Sequence, residues 1–231
     1  MVEVLDYDSS DDLTQEVDYA YDANNHLIKR VVDPDGGLGS DPIEQSVYAW
    51  QHGQIVYQFD KTGSGSLAFN DLSHRYLWGP AVDMLLADEQ VDWTDTYADG
   101  EVLWALTDHL GTVRDIIDNA GDVLDHAEYD AFGNRLNAAA VDVVFGYTGK
   151  LFDEATGLQN NWNRWYDPAV GRWASEDPIK DGTNWNAYVG NKPTMYTDPD
   201  GLKEESWWDW FWGGSSKYDD ASFESTWDSL S

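Results

Sequence analysis

The sequence predicts an all-β fold of antiparallel hairpins, and three observations support this. Turn-forming residues recur along the chain, short runs of alternating apolar residues separate them, and one stretch alone shows a clear helical period. Aromatic residues make up 14% of the 231 residues, which is typical of half-buried strands and too many for a disordered acidic chain. The length suits one domain or two small ones.

Predicted strands are separated along the chain by predicted turns, as expected for antiparallel hairpins. Strands are clearest at residues 54–59, 101–106 and 123–129. Turns are predicted at Gly36-Gly37, residues 63–65, Asp99-Gly100, residues 119–121 and residues 132–134. One short helix is predicted at residues 149–158.

Aspartate-proline pairs mark further corners. Five of the seven prolines follow an aspartate. Each pair predicts a turn, because proline fixes φ and the aspartate side chain can cap its own turn. These prolines are Pro34, Pro42, Pro168, Pro178 and Pro199. An aspartate in such a pair is more often a turn residue than a catalyst.

A weak internal repeat indicates how the hairpins are arranged. Residues 21–30 and 129–136 both begin with Tyr-Asp and continue through a turn into a strand, and residues 48–60 are a looser copy. Units of about 20 residues suggest a stacked or spiralled sheet in which each unit buries its faces against its neighbours. We therefore expect more such repeats before residue 1 in the natural protein.

Composition excludes several classes of function. Thirteen basic and 44 acidic residues give a net charge of −31, which opposes binding to nucleic acid through phosphates or to anionic lipid. No apolar run approaches the roughly 18 residues of a membrane span, and no signal peptide is visible. The absence of cysteine excludes disulfides and a cysteine nucleophile. The five histidines lack paired ligand spacing, so neither a metal nor a cofactor is expected.

Four blocks between residues 97 and 202 resemble the RHS repeat-associated core, the C-terminal part of RHS/YD-repeat proteins. Their order and spacing both fit the family. The blocks are Asp108-His-Leu-Gly-Thr-Val-Arg114; Tyr129-Asp-Ala-Phe-Gly-Asn-Arg135; residues 147–158 with Asn163-Arg-Trp-Tyr-Asp-Pro168 and Ser175-Glu-Asp-Pro178; and residues 186–193 with Asp198-Pro-Asp-Gly-Leu202. The resemblance divides the chain into a partial YD-repeat segment at 1–96, the core at 97–202 and a variable tail at 203–231.

The resemblance implies hairpins that spiral as part of a YD-repeat β shell, with a small core or plug that contains short helices. Such shells enclose a C-terminal cargo, often a toxin, in polymorphic toxin systems. Expected partners are upstream YD repeats of the same protein or a shell-forming partner, with a surface glycan or protein as receptor. The expected location is secreted or at the cell surface. Teneurin-type relatives use the same shell for adhesion.

In several branches the core cuts its own chain as an aspartyl autoprotease. The matching positions are Arg164, Asp177 and Asp198, with cleavage between Leu202 and Lys203. Two carboxylates can hydrolyse a peptide when one takes a proton from water and the other donates one. Asp198 lies four residues before the predicted cut, so a tight turn would fold that bond back onto it.

Two other interpretations remain open on the sequence. The chain is alternatively a non-enzymatic scaffold or adhesion module in which Asp177 and Asp198 only cap turns and Arg164 pairs with Asp167, or it is a truncated, inactive remnant. The 29 residues after Leu202 (231 − 202) are too few for a folded toxin. The aromatic run at 207–212 is expected to pack inside the shell or against the core.

Overall fold

The structure is a computed structural model that describes residues 2–37, 39–93, 99–180 and 183–206, with Asp99 described by its backbone alone. Within these residues it contains sixteen β-strands and three short 3₁₀ helices. The strands are β1 Val2–Tyr7, β2 Leu13–Tyr21, β3 Leu27–Asp33, β4 Glu44–Gln51, β5 Gln54–Thr62, β6 Leu72–Trp78, β7 Leu85–Asp92, β8 Asp99–Thr107, β9 Val113–Ile117, β10 Val123–His126, β11 Leu151–Asp153, β12 Leu158–Asn161, β13 Arg164–Asp167, β14 Arg172–Trp173, β15 Tyr196–Thr197 and β16 Glu205–Ser206.

The strands form three antiparallel sheets in simple sequential order. Strands β1 to β10 make a ten-stranded meander, β11 to β14 make a four-stranded sheet, and β15 pairs with β16. The 3₁₀ helices span Phe69–Asp71, Tyr147–Gly149 and Tyr188–Asn191. The predicted all-β class of antiparallel hairpins is therefore confirmed. Helices in the described part are too short to cross a bilayer.

The hydrophobic core lies between the inner face of the large sheet and the segment that leads into the four-stranded sheet. Strand side chains such as Leu103 face this core, and Phe145 and Leu151 cover it from the other side. Tyr76 and Trp78 each pack edge-to-face against Phe145, with ring centroids 4.9 Å apart. This packing fixes the four-stranded sheet against the large one.

Buried charges reinforce the same junction. Asp153 of β11 accepts two hydrogen bonds from the Arg30 guanidinium at 2.9 and 2.8 Å, and a third from the Tyr19 hydroxyl. Asp83 pairs with Lys150 at 2.6 Å. Each buried carboxylate is thus matched by a cation, as a low-dielectric environment requires.

Five turns of the chain share one hydrogen-bond pattern. In each, an aspartate carboxylate accepts from the backbone N–H groups two and four residues later, and the aspartate N–H bonds the carbonyl of the fourth residue. The turns begin at Asp8, Asp22, Asp108, Asp118 and Asp130. The third residue after each aspartate has a left-handed backbone; these are Asp11, Asn25, Gly111, Gly121 and Gly133.

The shared turn gives the internal repeat a structural basis. Residues 21–30 and 129–136, which begin with Tyr-Asp, both contain it. The looser copy at 48–60 instead folds as the β4–β5 hairpin, whose two-residue turn is His52-Gly53.

Two local predictions are wrong. Residues 149–158 form strand β11, a turn and the start of β12 instead of a helix, because Gly157 adopts a φ of +68° and Asp153 caps the turn through the N–H of Ala155. Asp99 and Gly100 begin β8 instead of forming a turn, and they pair with Asp92 and Val91. The strands predicted at 54–59 and 101–106 lie within β5 and β8, and β10 covers the first part of 123–129.

Candidate functional site

The β12–β13 hairpin places the predicted guanidinium. Asn161 pairs with Arg164 across a two-residue loop of Trp162 and Asn163, and Trp162 takes a φ of +58° there. The Arg164 side chain then lies over the ring of Trp173 on β14, with its Cζ 4.1 Å from the ring centroid. This stacking holds the guanidinium plane in one orientation.

The three predicted catalytic side chains converge. Arg164 Nη2 lies 3.2 Å from Asp198 Oδ2, and Arg164 Nη1 lies 3.9 Å from Asp177 Oδ2. All three residues are buried, with exposures of 5%, 7% and 3% for the Arg164, Asp177 and Asp198 side chains. The sequence separates them by up to 34 residues, and the fold brings them to one point.

The predicted cleavage site turns back onto the same carboxylate. Asp198 Oδ1 accepts hydrogen bonds from the backbone N–H groups of Leu202 at 3.0 Å and Lys203 at 3.1 Å. The Lys203 nitrogen belongs to the peptide bond at which cleavage is predicted. A carboxyl oxygen therefore lies within hydrogen-bond distance of the leaving nitrogen, as an acid catalyst requires.

Three carbonyl groups of the 198–201 loop are held by the β12–β13 hairpin. Asn161 Nδ2 donates to the carbonyl of Asp198 at 2.7 Å, Asn163 Nδ2 donates to that of Asp200 at 2.8 Å, and Arg164 Nε donates to that of Gly201. Neither Asn161 nor Asn163 was predicted as a site residue. Only Asn163 lies inside a block that resembles the family, and no sequence pattern links either amide to a loop 37 residues away.

Gly201 permits the close approach between the loop and the hairpin. Its φ is +69°, and a Cβ there would lie 2.5 Å from the carbonyl oxygen of Asn161 and 3.0 Å from the nitrogen of Arg164. Any larger residue would push the loop away from the guanidinium.

The surroundings of Asp198 make it easier to protonate than an exposed aspartate. Burial raises its pKa from 3.8 to about 6; the Arg164 charge opposes the shift, while the Asp200 charge adds to it. An aromatic cluster of Tyr147, Tyr166, Trp173 and Tyr188 lies on the buried side of the site. A carboxyl with this pKa can exchange a proton near neutral pH.

A cleft of about 490 Å³ gives the three side chains access to solvent. It is bordered by Arg164, Asp177 and Asp198, and by the backbone segments around 183–191 and 202–204. Its volume accommodates water beside the Leu202–Lys203 bond.

The turn-capping role of the same aspartates is also visible. Asp177 Oδ1 accepts from the N–H of Ile179 at 2.9 Å within its Asp-Pro turn. Asp167 caps its own turn through Ala169, and the ion pairs of Arg164 among the described residues are with Asp177 and Asp198. The predicted alternative that Arg164 pairs with Asp167 is therefore wrong.

The described residues do not form a metal site. Within 2–37, 39–93, 99–180 and 183–206, no group of three or more His, Asp or Glu side chains is arranged to hold an ion. The aromatic run at 207–212 and the residue that opens the predicted core, Tyr97, lie outside the described residues.

Comparison with known proteins identifies what the chain is similar to. Residues 94–197 match the sequence profile of the Teneurin YD-shell family. Salivary gland surface protein 1 of Aedes aegypti is 37% identical over 100 residues, which cover 42% of this chain and 3% of that protein. The tRNA3(Ser)-specific nuclease WapA of Bacillus spizizenii is 31% identical over 171 residues, which cover 63% of this chain and 7% of that protein. Toxin subunit YenC1 of Yersinia entomophaga is 35% identical over 113 residues, which cover 46% of this chain and 12% of that protein. This chain spans a small part of each relative.

Solved structures share the fold. The TcdB2–TccC3–Cdc42 crystal structure superposes with a TM-score of 0.63 at 20% identity, over 87% of this chain and 10% of that one. The Photorhabdus luminescens Tc holotoxin pore gives a TM-score of 0.64 at 19% identity, over 88% and 10%. The resemblance to RHS/YD-repeat proteins and the β-shell architecture are thereby confirmed.

Proposed function

We propose that this chain, a YD-repeat shell segment of the RHS type, cleaves itself between Leu202 and Lys203 by an aspartyl mechanism. The observation that carries the proposal is the contact of Asp198 with both Arg164 and the Lys203 nitrogen. The proposal includes the division into a YD-repeat segment at 1–96, a core at 97–202 and a released tail at 203–231.

The two carboxyl groups take complementary parts in the proposed reaction. Asp177 accepts a proton from a water molecule in the cleft as the water oxygen attacks the carbonyl carbon of Leu202. As the C–N bond breaks, Asp198 donates its proton to the Lys203 nitrogen, which has gained a lone pair. The products are the Leu202 carboxylic acid and the Lys203 amine, and proton transfer from Asp177 to Asp198 restores the starting state. The new carboxyl group then gives its proton to the new amine, which leaves a Leu202 carboxylate and a Lys203 ammonium group.

Arg164 organises the reacting segment. Its Nε donates to the Gly201 carbonyl while Nη2 contacts Asp198, so one rigid guanidinium fixes the position of the loop relative to the acid. Holding groups in reacting geometry can lower a reaction barrier by several kcal/mol.

The test is mass spectrometry of the purified 231-residue chain during incubation at pH 5 to 6. We expect two fragments that end at Leu202 and begin at Lys203, and an intact chain for Asp177→Asn and Asp198→Asn. Asp167→Asn is the matched control, because Asp167 also precedes a proline and caps a turn but lies outside the ion pairs of Arg164. A wild-type chain that stays at full mass would refute the proposal.

The other candidate function is a non-enzymatic shell or adhesion module. It is favoured by the turn-capping bond of Asp177 to Ile179, which gives this carboxylate a purely structural use. The proposed partners in either case are further YD repeats or a shell-forming protein, in a secreted or cell-surface setting like that of the toxin relatives. Partner binding that survives Asp198→Asn in an uncleaved chain would support this alternative.

A further inference from the structure

A chain of hydrogen bonds through two side-chain amides runs from the large sheet to the cleavage loop. Asn163, whose Nδ2 holds the Asp200 carbonyl, accepts a hydrogen bond on its Oδ1 from Asn25 Nδ2 at 2.9 Å. Asn25 lies in the turn between β2 and β3, at the left-handed position of the repeated aspartate turn. The relay therefore runs from the sheet, through the β12–β13 hairpin, to the loop that carries Leu202.

The two amides orient each other. The Asn25 donor fixes which end of the Asn163 amide faces the sheet, and this leaves Asn163 Nδ2 directed at Asp200. The backbone N–H of Asn163 also donates to the Asp200 carbonyl at 3.3 Å. Two donors thus hold one carbonyl, two residues before Leu202.

We propose that Asn163 is a positioning residue for self-cleavage and that Asn25 makes its rate depend on the seating of the β2–β3 turn against the core. The inference rests on the proposed function. Its consequence is that cleavage reaches its full rate only when the β2–β3 turn is seated against the β12–β13 hairpin.

The turn itself does not require the side chain of Asn25. The residue is exposed, and glycine occupies the equivalent position in the turns that begin at Asp108, Asp118 and Asp130. Glycine adopts a positive φ without the steric cost that a side chain carries. Asn25→Gly therefore keeps the turn and removes only the side-chain link to Asn163.

The decisive experiment compares Asn25→Gly with Asp11→Gly. Asp11 has the same position in the β1–β2 turn, at the other end of the nine-residue β2, roughly 30 Å away. We expect both variants to keep or raise the thermal midpoint. Asn25→Gly should slow the first-order rate of fragment appearance by about three- to tenfold, as loss of one positioning hydrogen bond does, while Asp11→Gly keeps the wild-type rate.

A second variant reports on the mechanism. Asn163→Ala should lower the maximal cleavage rate by about tenfold or more, and the pH at which the rate is half-maximal should stay at its wild-type value, because Asp177 and Asp198 are untouched. If Asn25→Gly and Asn163→Ala cleave at the wild-type rate, the inference is overturned while the proposed function stands. If the wild-type chain never cleaves, both are overturned.

Discussion

At the scale of single residues, the scarce cations of this acidic chain lie where carboxylates are buried. Arg30, Lys150 and Arg164 each pair with an aspartate whose side chain is less than a tenth exposed. An unpaired charge at such a position would cost several kcal/mol. Three of the thirteen basic residues are thus used to neutralise buried aspartates.

The Arg30–Asp153 pair is testable by substitution. Asp153→Asn keeps the side-chain shape but leaves Arg30, whose side chain is 16% exposed, without its counter-charge. We expect a loss of about 2–4 kcal/mol in the free energy of unfolding, measured by urea denaturation. Glu176→Gln, an exposed neutralisation, is the control and should change stability by less than about 0.5 kcal/mol. Equal effects of the two variants would contradict the structural role of the pair.

The pKa of Asp198 sets the expected pH dependence of cleavage. The donating carboxyl must be protonated, and burial raises its pKa to about 6. The rate should therefore fall as pH rises above about 6, approaching tenfold per unit. Quenched time courses between pH 5 and 8 measure this falling limb of the pH–rate profile. A rate that rises across the range would exclude Asp198 as the acid.

Asp200→Asn tests the cause of that limb. The Asp200 charge helps to raise the pKa of Asp198, so its removal should move the limb to lower pH. Asparagine retains an Oδ1 that can accept from the Leu202 N–H, as Asp200 does at 3.2 Å. An unmoved limb would show that another group controls the rate.

The same raised pKa makes Asp198 a source of pH-dependent stability. Between about pH 4 and 6 the folded chain binds more protons at this carboxyl than the unfolded chain, so its contribution to stability falls as pH rises through that window. Asp198→Asn should remove this fall, so the wild-type free energy of unfolding should drop relative to that of the variant by about 1–3 kcal/mol between pH 4 and 7. Urea titrations at pH 4, 5, 6 and 7 give both curves; parallel curves would contradict the assignment.

The sequence predicted some site residues and missed others for a physical reason. Arg164, Asp177 and Asp198 were chosen through the resemblance of their motifs to a family, and the fold brings them together. Asn161 and Asn163 act on backbone carbonyls, which any residue supplies, so their partners leave no trace in the sequence. Such contacts become visible only in three dimensions.

At the scale of elements, the repeated aspartate turn is the main local device of the fold. One carboxylate satisfies two backbone N–H groups, so a five-residue corner needs no other partner. The spacing is readable as aspartate followed three residues later by Gly, Asn or Asp. The Tyr-Asp repeat recognised in the sequence covers two of the five copies, those at Asp22 and Asp130. A tyrosine also precedes Asp8, but other residues precede Asp108 and Asp118.

The left-handed position of this turn makes a paired prediction possible. Gly121 has a φ of +87°, and a Cβ added there would meet no atom within 4 Å, so Gly121→Ala should destabilise the chain by about 1 kcal/mol through backbone strain alone. Asp11→Gly should instead stabilise it by about 0.5–1 kcal/mol. Differential scanning calorimetry measures both, and shifts of the same sign would contradict the shared geometry.

The type of element was predicted correctly where apolar residues alternate clearly along the sequence. The prediction was wrong where a side chain makes contacts with distant parts of the fold. Residues 54–59 and 101–106 alternate and fold as strands. Residues 149–158 contain helix-forming Glu154 and Ala155, yet Asp153 must meet Arg30 and Tyr19, and this requirement favours a hairpin. Within each sheet the strands follow chain order, as antiparallel hairpins require, but the breaks after β10 and β14 were not predicted.

At the scale of the whole molecule, the net charge of −31 works against the compact state. Like charges even face each other across the first hairpin, where Glu3 is paired with Asp18. Desolvation, followed by the charges of Glu3, Asp18 and Asp33, raises the pKa of Glu16 nearby. Self-repulsion is therefore expected to be a measurable part of the unfolding free energy.

Salt should accordingly stabilise the chain. Raising NaCl from about 10 to about 150 mM shortens the screening length from roughly 30 to roughly 8 Å, so the urea midpoint should rise. Glu3→Gln is the comparison: it removes one member of the facing pair and should raise the low-salt midpoint while reducing the response to salt. A midpoint that falls with salt would show that attractive pairs outweigh the repulsion.

The pairing of β15 with β16 has a consequence for what scission would accomplish. Tyr196 and Thr197 are bonded to Ser206 and Glu205, and the Leu202–Lys203 bond lies in the connection between these strands. A break there would cut the connection of this hairpin but would leave the two-residue pairing of β15 with β16 in place. The tail would leave only after β16 separates from β15, so a denaturing gel would report hydrolysis and a sizing column would report release.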